Sequence, residues 1–145
     1  CIDNLLLDKM DFDIRQKLLY SSMLAGIVIA HTGTTIVHSM GYSLTYFKDV
    51  PHGRANALLL PEYLRFNYCV ADKKIDRILQ ELNMKNIDDF ENLINELVKN
   101  DKIYTRDEIE KFAGIAIKAR NVINNPRKVT LEDEIKILEN SLCKA

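Results

Sequence analysis

The sequence predicts an all-α fold, a multihelical bundle of about seven helices. Apolar residues recur three and four positions apart through most of the 145 residues, and no stretch alternates long enough to predict a strand. Hydrophobic residues form 47% of the chain and charged residues 28%, which is the balance of an ordinary globular protein. We therefore expect a single all-helical domain over residues 1–145.

The first long helix is predicted over residues 13–31. It begins amphipathic and then becomes apolar or small on every side, with its most apolar stretch from Met23 to Ala30. Because a helix that is apolar all round belongs in the centre of a bundle, we expect this one to be buried. The stretch is far shorter than the roughly 20 residues of a membrane span, and no signal-peptide pattern opens the chain. No membrane association is therefore expected.

Two further helices are predicted, with a short loop between them along the chain. Gly33 is expected to end the first helix, and a second helix is predicted over residues 34–46. The string KDVPHG at residues 48–53 predicts the loop, since proline and glycine are turn residues. A third helix is predicted over residues 54–71, and Pro61 inside it is expected to kink it or to end its first part.

From residue 73 onward the chain predicts charged, amphipathic helices. Their apolar stripes cover residues 75–82, 90–97, 109–116 and 131–142. Thr105 fits a capping box at the start of one helix, and Thr130 fits a weaker version at the start of the last, after a turn at residues 124–126. We interpret the change in composition near residue 73 as the inside and the outside of one bundle.

Charge and motifs exclude several classes of function. The net charge is −1, from 20 basic and 21 acidic residues, which removes any global electrostatic argument for binding nucleic acid or an acidic membrane. No GxGxxG, Walker or GxSxG motif occurs, so neither a nucleotide cradle nor a serine nucleophile elbow is predicted within these residues. Cys1, Cys69 and Cys143 are widely spaced and form no CxxC pair, which favours a reduced, cytoplasmic protein.

All the histidines, His31, His38 and His52, lie in the first part of the chain. Imidazole is a common metal ligand, and a histidine on a helix face can meet one from the following loop. A lone histidine on an apolar helix face is, however, more often a hydrogen-bonded core residue. Two histidines are also fewer than the three or four ligands that a metal usually takes. Spacing alone leaves both interpretations open.

The strings around these histidines resemble the iron-containing (group III) alcohol dehydrogenases. The resemblance is carried by HSMGYSL beginning at His38, by VPHGRANALLLP around His52, and by the pair Phe66-Asn67. It extends upstream through SSMLAGIVIAHTGTTIVHS and downstream through AGIAIKARNVINNPRKVTLEDEIKIL. It implies the family's all-helical C-terminal domain, with a fold like the C-terminal domain of dehydroquinate synthase.

The resemblance implies a divalent metal ion, Fe²⁺ or Zn²⁺, held by one aspartate and three histidines. By position in the motif, His38 and His52 are the last two of those ligands, and the other two lie on a helix that this chain does not contain. NAD or NADP would be bound mainly by a missing N-terminal domain, so no cofactor-binding residue is named here. Cys1 in place of an initiating methionine agrees with a C-terminal fragment of a longer dehydrogenase, which we expect to be inactive alone.

The implied reaction is metal-assisted hydride transfer between a small alcohol and an aldehyde or ketone. Tyr42 stands where the family more commonly has a histidine beside the metal, and it is the candidate catalytic residue. His31 stands where the family more often has asparagine, and two places are expected for it: in the core behind the metal site, or at the substrate cleft. The alternative is a non-catalytic helical scaffold or interaction module that retains only the fold. Apolar surface left on the early helices predicts self-association or a homo-oligomer.

Overall fold

The computed structural model describes residues 2–143 of the chain, so Cys1 lies outside the described residues. Within that range the elements are α1 (Ile2–Leu6), α2 (Phe12–Thr32), α3 (Ile36–Lys48), α4 (His52–Glu81), α5 (Ile87–Leu97), α6 (Arg106–Ala116), a 3₁₀ helix (Arg120–Asn124) and α7 (Leu131–Leu142). No strand occurs among these residues, so the predicted all-α class is confirmed.

Contacts divide the chain into two compact units, Cys1–Thr34 and Thr35–Ala145. The change in composition near residue 73 marks no division, because that position lies inside α4. That the two units act as one domain stays a prediction.

The first unit consists of α1 and α2, and α2 has well-defined ends. The Asp11 carboxylate accepts a hydrogen bond from the backbone N–H of Ile14 at 2.9 Å, which caps the helix. Gly33 ends it with a φ of 70°, a region that favours glycine, and its N–H donates to the Ile29 carbonyl at 2.9 Å. The predicted break at Gly33 is therefore confirmed.

The expectation that α2 is buried is wrong. Every residue from Leu19 to Gly33 is exposed, and Ile14 is the buried residue of this helix. The physical reason is the small size of the unit, since the five-residue α1 offers too little surface to cover a helix that is apolar on all sides. No single helix in the described range is long and apolar enough to cross a membrane, and α2 and α3 pass that test only as a broken pair.

The second unit packs α3, α4, α6 and α7 around one apolar core. The largest fully buried apolar side chains in it are Phe112, Ile36, Met40, Leu44, Leu59, Ile109 and Leu138. Each helix contributes residues spaced three or four apart, so one face of each helix points inward. A smaller cluster of Leu64, Ile75, Leu79 and Phe90 joins α4 to α5. The amphipathic stripes predicted after residue 73 thus supply both clusters.

The helix α4 is longer than predicted. It continues from His52 to Glu81, and the backbone leaves helical angles within it at Ala71, with φ −138° and ψ 22°. Pro61 lies buried inside the helix, and the interruption expected there occurs at Ala71 instead. A proline removes one backbone hydrogen bond, and here the ring is packed into the protein interior, where the neighbouring turns hold it in place.

Both predicted capping boxes are present. The Thr105 hydroxyl accepts from the Glu108 N–H at 3.3 Å, and the Glu108 carboxylate accepts from the Thr105 N–H at 3.0 Å. Thr130 and the residue three positions later form the same box at the start of α7. The Lys48 ammonium lies 2.6 Å from the Glu108 carboxylate, and this hydrogen bond lowers the pKa of Glu108. The box therefore also connects α6 to the end of α3.

The turn before α7 is fastened to α4 by Asn67. The Asn67 side-chain oxygen accepts from Asn125 Nδ2 at 3.0 Å and from the Arg127 N–H at 3.3 Å. Its Nδ2 donates to the Tyr63 carbonyl at 3.0 Å. Arg127 adds a hydrogen bond to the Phe66 carbonyl at 3.0 Å and lies over the Phe66 ring. The Phe66-Asn67 pair thus positions the final turn.

Candidate metal centre

Two consecutive helices of the second unit bring His38 and His52 together. His38 lies in the first turn of α3, and His52 is the first residue of α4. Asp49 ends α3 in the left-handed conformation, with φ 54°, and its N–H and that of Val50 both donate to the Leu44 carbonyl. The chain therefore turns sharply between the two helices, and α4 begins against α3.

The facing nitrogens of the two imidazoles are close. His52 Nε2 lies 3.1 Å from His38 Nδ1, and both side chains are half-buried. Burial, followed by the charge of His52, lowers the pKa of His38. The lowered pKa favours the neutral form of His38, and neutral imidazole is the form that binds a metal ion.

Asn56 also contacts this pair, one turn after His52 on α4. Its Nδ2 lies 3.1 Å from His52 Nε2 and 3.4 Å from His38 Nδ1. Its Oδ1 is buried without a hydrogen-bond partner and rests against Gly41, where an added Cβ would come within 2.1 Å of it. Sequence reasoning missed both residues. The four-residue spacing from His52 could have pointed to Asn56, whereas nothing local points to Gly41.

Tyr42 also contacts the histidine pair and is exposed to solvent. Its ring stacks on His52, with centroids 5.0 Å apart and planes 9° apart, and its centroid lies 6.3 Å from that of His38. The side chain is 54% exposed, so the phenol stays accessible to a small molecule. The structure thus brings together three of the residues selected from the sequence.

His31 lies elsewhere, on α2 in the other compact unit. Its Nδ1 donates to the Ile27 carbonyl of the same helix at 2.7 Å, and the side chain is exposed. The described contact of His31 is therefore local to its helix, and its place at a substrate cleft stays a prediction.

The imidazole pair fits two ligands of a transition metal ion. Nitrogens that each lie about 2.1 Å from one ion are about 3.0 to 3.4 Å apart in octahedral or tetrahedral coordination. The observed separation between the facing nitrogens is 3.1 Å. No group of three or more His, Cys, Asp or Glu side chains able to hold an ion occurs in the part of the chain that the structure describes. A complete site therefore needs donors beyond these two imidazoles.

Sequence comparison matches this chain to one family model and to alcohol and aldehyde oxidoreductases. The sequence model of the Fe-containing alcohol dehydrogenase family, C-terminal, matches residues 2–142. The probable alcohol dehydrogenase EutG of Escherichia coli K12 is 29% identical over 132 residues, covering 84% of this chain and 33% of its own length. The lactaldehyde reductase of the same strain is 27% identical over 143 residues, covering 88% of this chain and 37% of its own length.

The fold of this chain is also similar to that of a solved iron-containing alcohol dehydrogenase. The crystal structure of an iron-containing alcohol dehydrogenase from Thermotoga maritima matches with a TM-score of 0.83 at 26% identity. The match covers 99% of this chain and 41% of that one. The chain thus spans about a third of the length of the curated relatives named above.

Proposed function

This chain belongs to the iron-containing alcohol dehydrogenase family, as its C-terminal domain, and from that premise we propose that it is the metal-binding part of an NAD(P)-dependent enzyme. The reaction is the interconversion of small alcohols with aldehydes or ketones, in line with the alcohol and lactaldehyde oxidoreductases it resembles. The observation that carries the proposal is the 3.1 Å separation of His38 Nδ1 and His52 Nε2. Fe²⁺ or Zn²⁺ is the proposed ion.

The proposed activity belongs to a longer, cytoplasmic protein. Because this chain matches about a third of its relatives' length, we place most of the NAD(P) site and the remaining metal ligands outside it. The chain alone is accordingly expected to show no turnover.

The residues of this chain have distinct roles in the proposal. When bound, the divalent ion supplies Lewis-acid polarisation of the substrate carbonyl and the nicotinamide supplies the hydride. His38 and His52 would hold the ion through imidazole nitrogens, which bring no negative charge to cancel its own. Tyr42, half exposed and stacked on His52, can donate a hydrogen bond to the substrate oxygen or relay a proton. His31 is proposed to line the substrate cleft.

Replacing either proposed ligand should remove the metal. In the longer parent protein, His38→Ala and His52→Ala are each expected to weaken metal binding by more than about 100-fold, beyond the loss typical of groups that only orient ligands. Elemental analysis of the purified variants measures this directly. His31→Ala serves as the control and should keep its metal, and Tyr42→Phe should keep metal while losing turnover. Full metal content in both His38→Ala and His52→Ala would rule out the site.

We also propose that the chain self-associates through α2. This helix exposes a continuous set of large apolar side chains, Leu19, Tyr20, Met23, Leu24, Ile27, Val28 and Ile29. Such surfaces are usually covered by a partner. Sedimentation velocity across a concentration series should show dimers or larger species, and Val28→Lys should shift them toward monomer. A wild-type chain that stays monomeric and soluble throughout would contradict the proposal.

A non-catalytic scaffold is the second candidate. It is favoured by one observation, that α2 exposes large apolar side chains that a partner could cover. The metal analysis separates the two candidates, because a scaffold would hold no ion and its histidine variants would change nothing.

A further inference from the structure

We propose that Lys48, the last residue of α3, is a positioning residue for His52, because it fastens the turn that leads to His52 onto the segment that begins α6. The inference rests on the proposed function and deepens it, since it concerns how one imidazole is held in place and not which groups bind the ion. Lys48 lies between the two motif strings that carry the family resemblance and belongs to neither of them.

The ring of His52 has no polar contact on its far side. Its Nδ1 is buried and, among the described residues, has no hydrogen-bond partner. A ligand imidazole usually donates its second N–H to a carboxylate or a carbonyl, which sets the direction of the ring. The direction of the His52 ring therefore depends on the stacked ring of Tyr42 and on where the backbone at the start of α4 is held.

The turn between Lys48 and His52 is short and has little freedom. Asp49 is in the left-handed conformation, with φ 54°. Val50 is 2% exposed and belongs to the apolar core. Pro51 follows, and its ring restricts φ. A turn of this fixed shape has no slack, so a displacement at the end of α3 is passed on to His52.

The ammonium group of Lys48 is held by three groups at the start of α6 and just before it. Its Nζ donates to the Ile103 carbonyl at 3.1 Å and lies 2.6 Å from the Glu108 carboxylate. It also lies 5.4 Å from the centroid of the Tyr104 ring. The Lys48 side chain is 20% exposed, so solvent screens these contacts less than those of a fully exposed ion pair.

The groups that hold Lys48 are themselves attached to the second unit. Glu108 Oε2 accepts from the Thr105 N–H at 3.0 Å in the capping box, while Oε1 faces Lys48. Tyr104 is 8% exposed and packs in the apolar core. The Asn100 amide of the same segment donates to the carbonyl of the last residue of α7 at 3.2 Å. Lys48 therefore connects the turn to a part of the unit that is fixed at several points.

The fold should survive the loss of the ammonium group. Phe47 stacks on Phe112 of α6, with centroids 5.4 Å apart and planes 12° apart, and this contact does not involve Lys48. Lys48→Met keeps most of the apolar stem of the side chain. We therefore expect the variant to keep α3 packed on α6 while the turn before His52 loses its polar attachment.

The test is two-dimensional NMR of the 145-residue chain, together with its Zn²⁺ affinity by isothermal titration calorimetry. Wild type should show nuclear Overhauser cross-peaks from the His52 ring to the rings of Tyr42 and His38, whose centroids lie 5.0 and 5.1 Å away. Lys48→Met should weaken these cross-peaks and lower Zn²⁺ affinity about tenfold. Lys48→Arg restores a cationic donor and should recover both. The matched control is Arg65→Met, which removes the cation of a separate ion-pair cluster between α4 and α5 and should change neither.

The outcomes separate this inference from the function beneath it. Unchanged cross-peaks in Lys48→Met would overturn the positioning role. Equal losses in Lys48→Arg would also overturn it, since the role requires a cationic donor, and so would equal losses in Arg65→Met, which would show a general effect of lost ion pairs. A wild-type chain that binds no Zn²⁺, with cross-peaks that weaken in Lys48→Met, would count against the metal function and leave the positioning of His52 standing. Circular dichroism of each variant verifies that the helices are intact.

Discussion

Replacing Glu134 by glutamine should remove most of the pH dependence of the free energy of unfolding between about pH 5 and pH 8. With Glu134 present, that free energy should fall by on the order of 4 kcal/mol over this range. Glu134 lies in the first turn of α7 and is 0% exposed, and neither of its carboxylate oxygens has a hydrogen-bond partner. A helix N-terminus favours negative charge, but burial dominates here and raises the pKa of Glu134 to about 8. The folded protein therefore holds this carboxyl in its neutral form near pH 7.

The sign of the effect follows from proton uptake. The ordinary pKa of a glutamate is 4.5, and the folded state raises it to about 8. Between these values the folded protein binds one proton more than the unfolded chain, so stability falls as pH rises. Stability from Glu134 is complete below pH 4.5 and is lost once the pH passes about 8. Each pH unit in this window accounts for about 1.4 kcal/mol.

Urea unfolding at several pH values measures the prediction. The wild-type free energy of unfolding should decline toward pH 8 relative to Glu134→Gln, which carries no titrating group there. His38, whose pKa is lowered, contributes the opposite slope at acid pH, and it cancels because both proteins contain it. Glu132→Gln is the control, since Glu132 is exposed in the same turn. An equal pH dependence in wild type and Glu134→Gln would refute the explanation.

Asn67→Ala is expected to destabilise the protein by about 3 kcal/mol. The side chain is 1% exposed and makes three hydrogen bonds, to Tyr63, Asn125 and Arg127. Truncation removes these three bonds from half-buried partner groups, and a buried group left unsatisfied costs about 1–3 kcal/mol. It also releases the turn that leads into α7, and α7 supplies Ile137 and Leu138 to the core.

Equilibrium denaturation of Asn67→Ala tests this expectation. Asn140→Ala is the control, because its amide makes one exposed hydrogen bond, to Glu62, and the change should stay within about 0.5 kcal/mol. In a double-mutant cycle, Asn67→Ala and Asn125→Ala should be strongly non-additive, since each removes the same bond. A loss below about 1 kcal/mol in Asn67→Ala would show that the turn is held by other contacts.

Local features of the fold can be predicted from the sequence. The Thr105 and Thr130 capping boxes join residues three apart, and the Gly33 break depends on one residue's backbone freedom. The apolar stripes after residue 73 predict which faces point inward, because helical periodicity converts spacing into direction. The motif around His38 and His52 likewise identifies the family.

Other features depend on packing between distant residues. The apolar composition of α2 predicts burial, yet the five-residue α1, the other helix of its unit, is too small to cover it. The approach of Asn56 to His38 requires the absence of a side chain at Gly41, on a different helix. Glutamate is an ordinary residue in the first turn of a helix, and only the burial of Glu134 in the folded unit raises its pKa.

The sequence alone therefore determined the helical class, the capping boxes at Thr105 and Thr130, and the family, because these depend on residues close together along the chain. The tertiary structure alone decided that His52 Nε2 faces His38 Nδ1 at 3.1 Å, that Asn56 joins them, and that Glu134 is buried without a partner. These depend on distances between helices, which arise only when side chains from separate parts of the chain pack together.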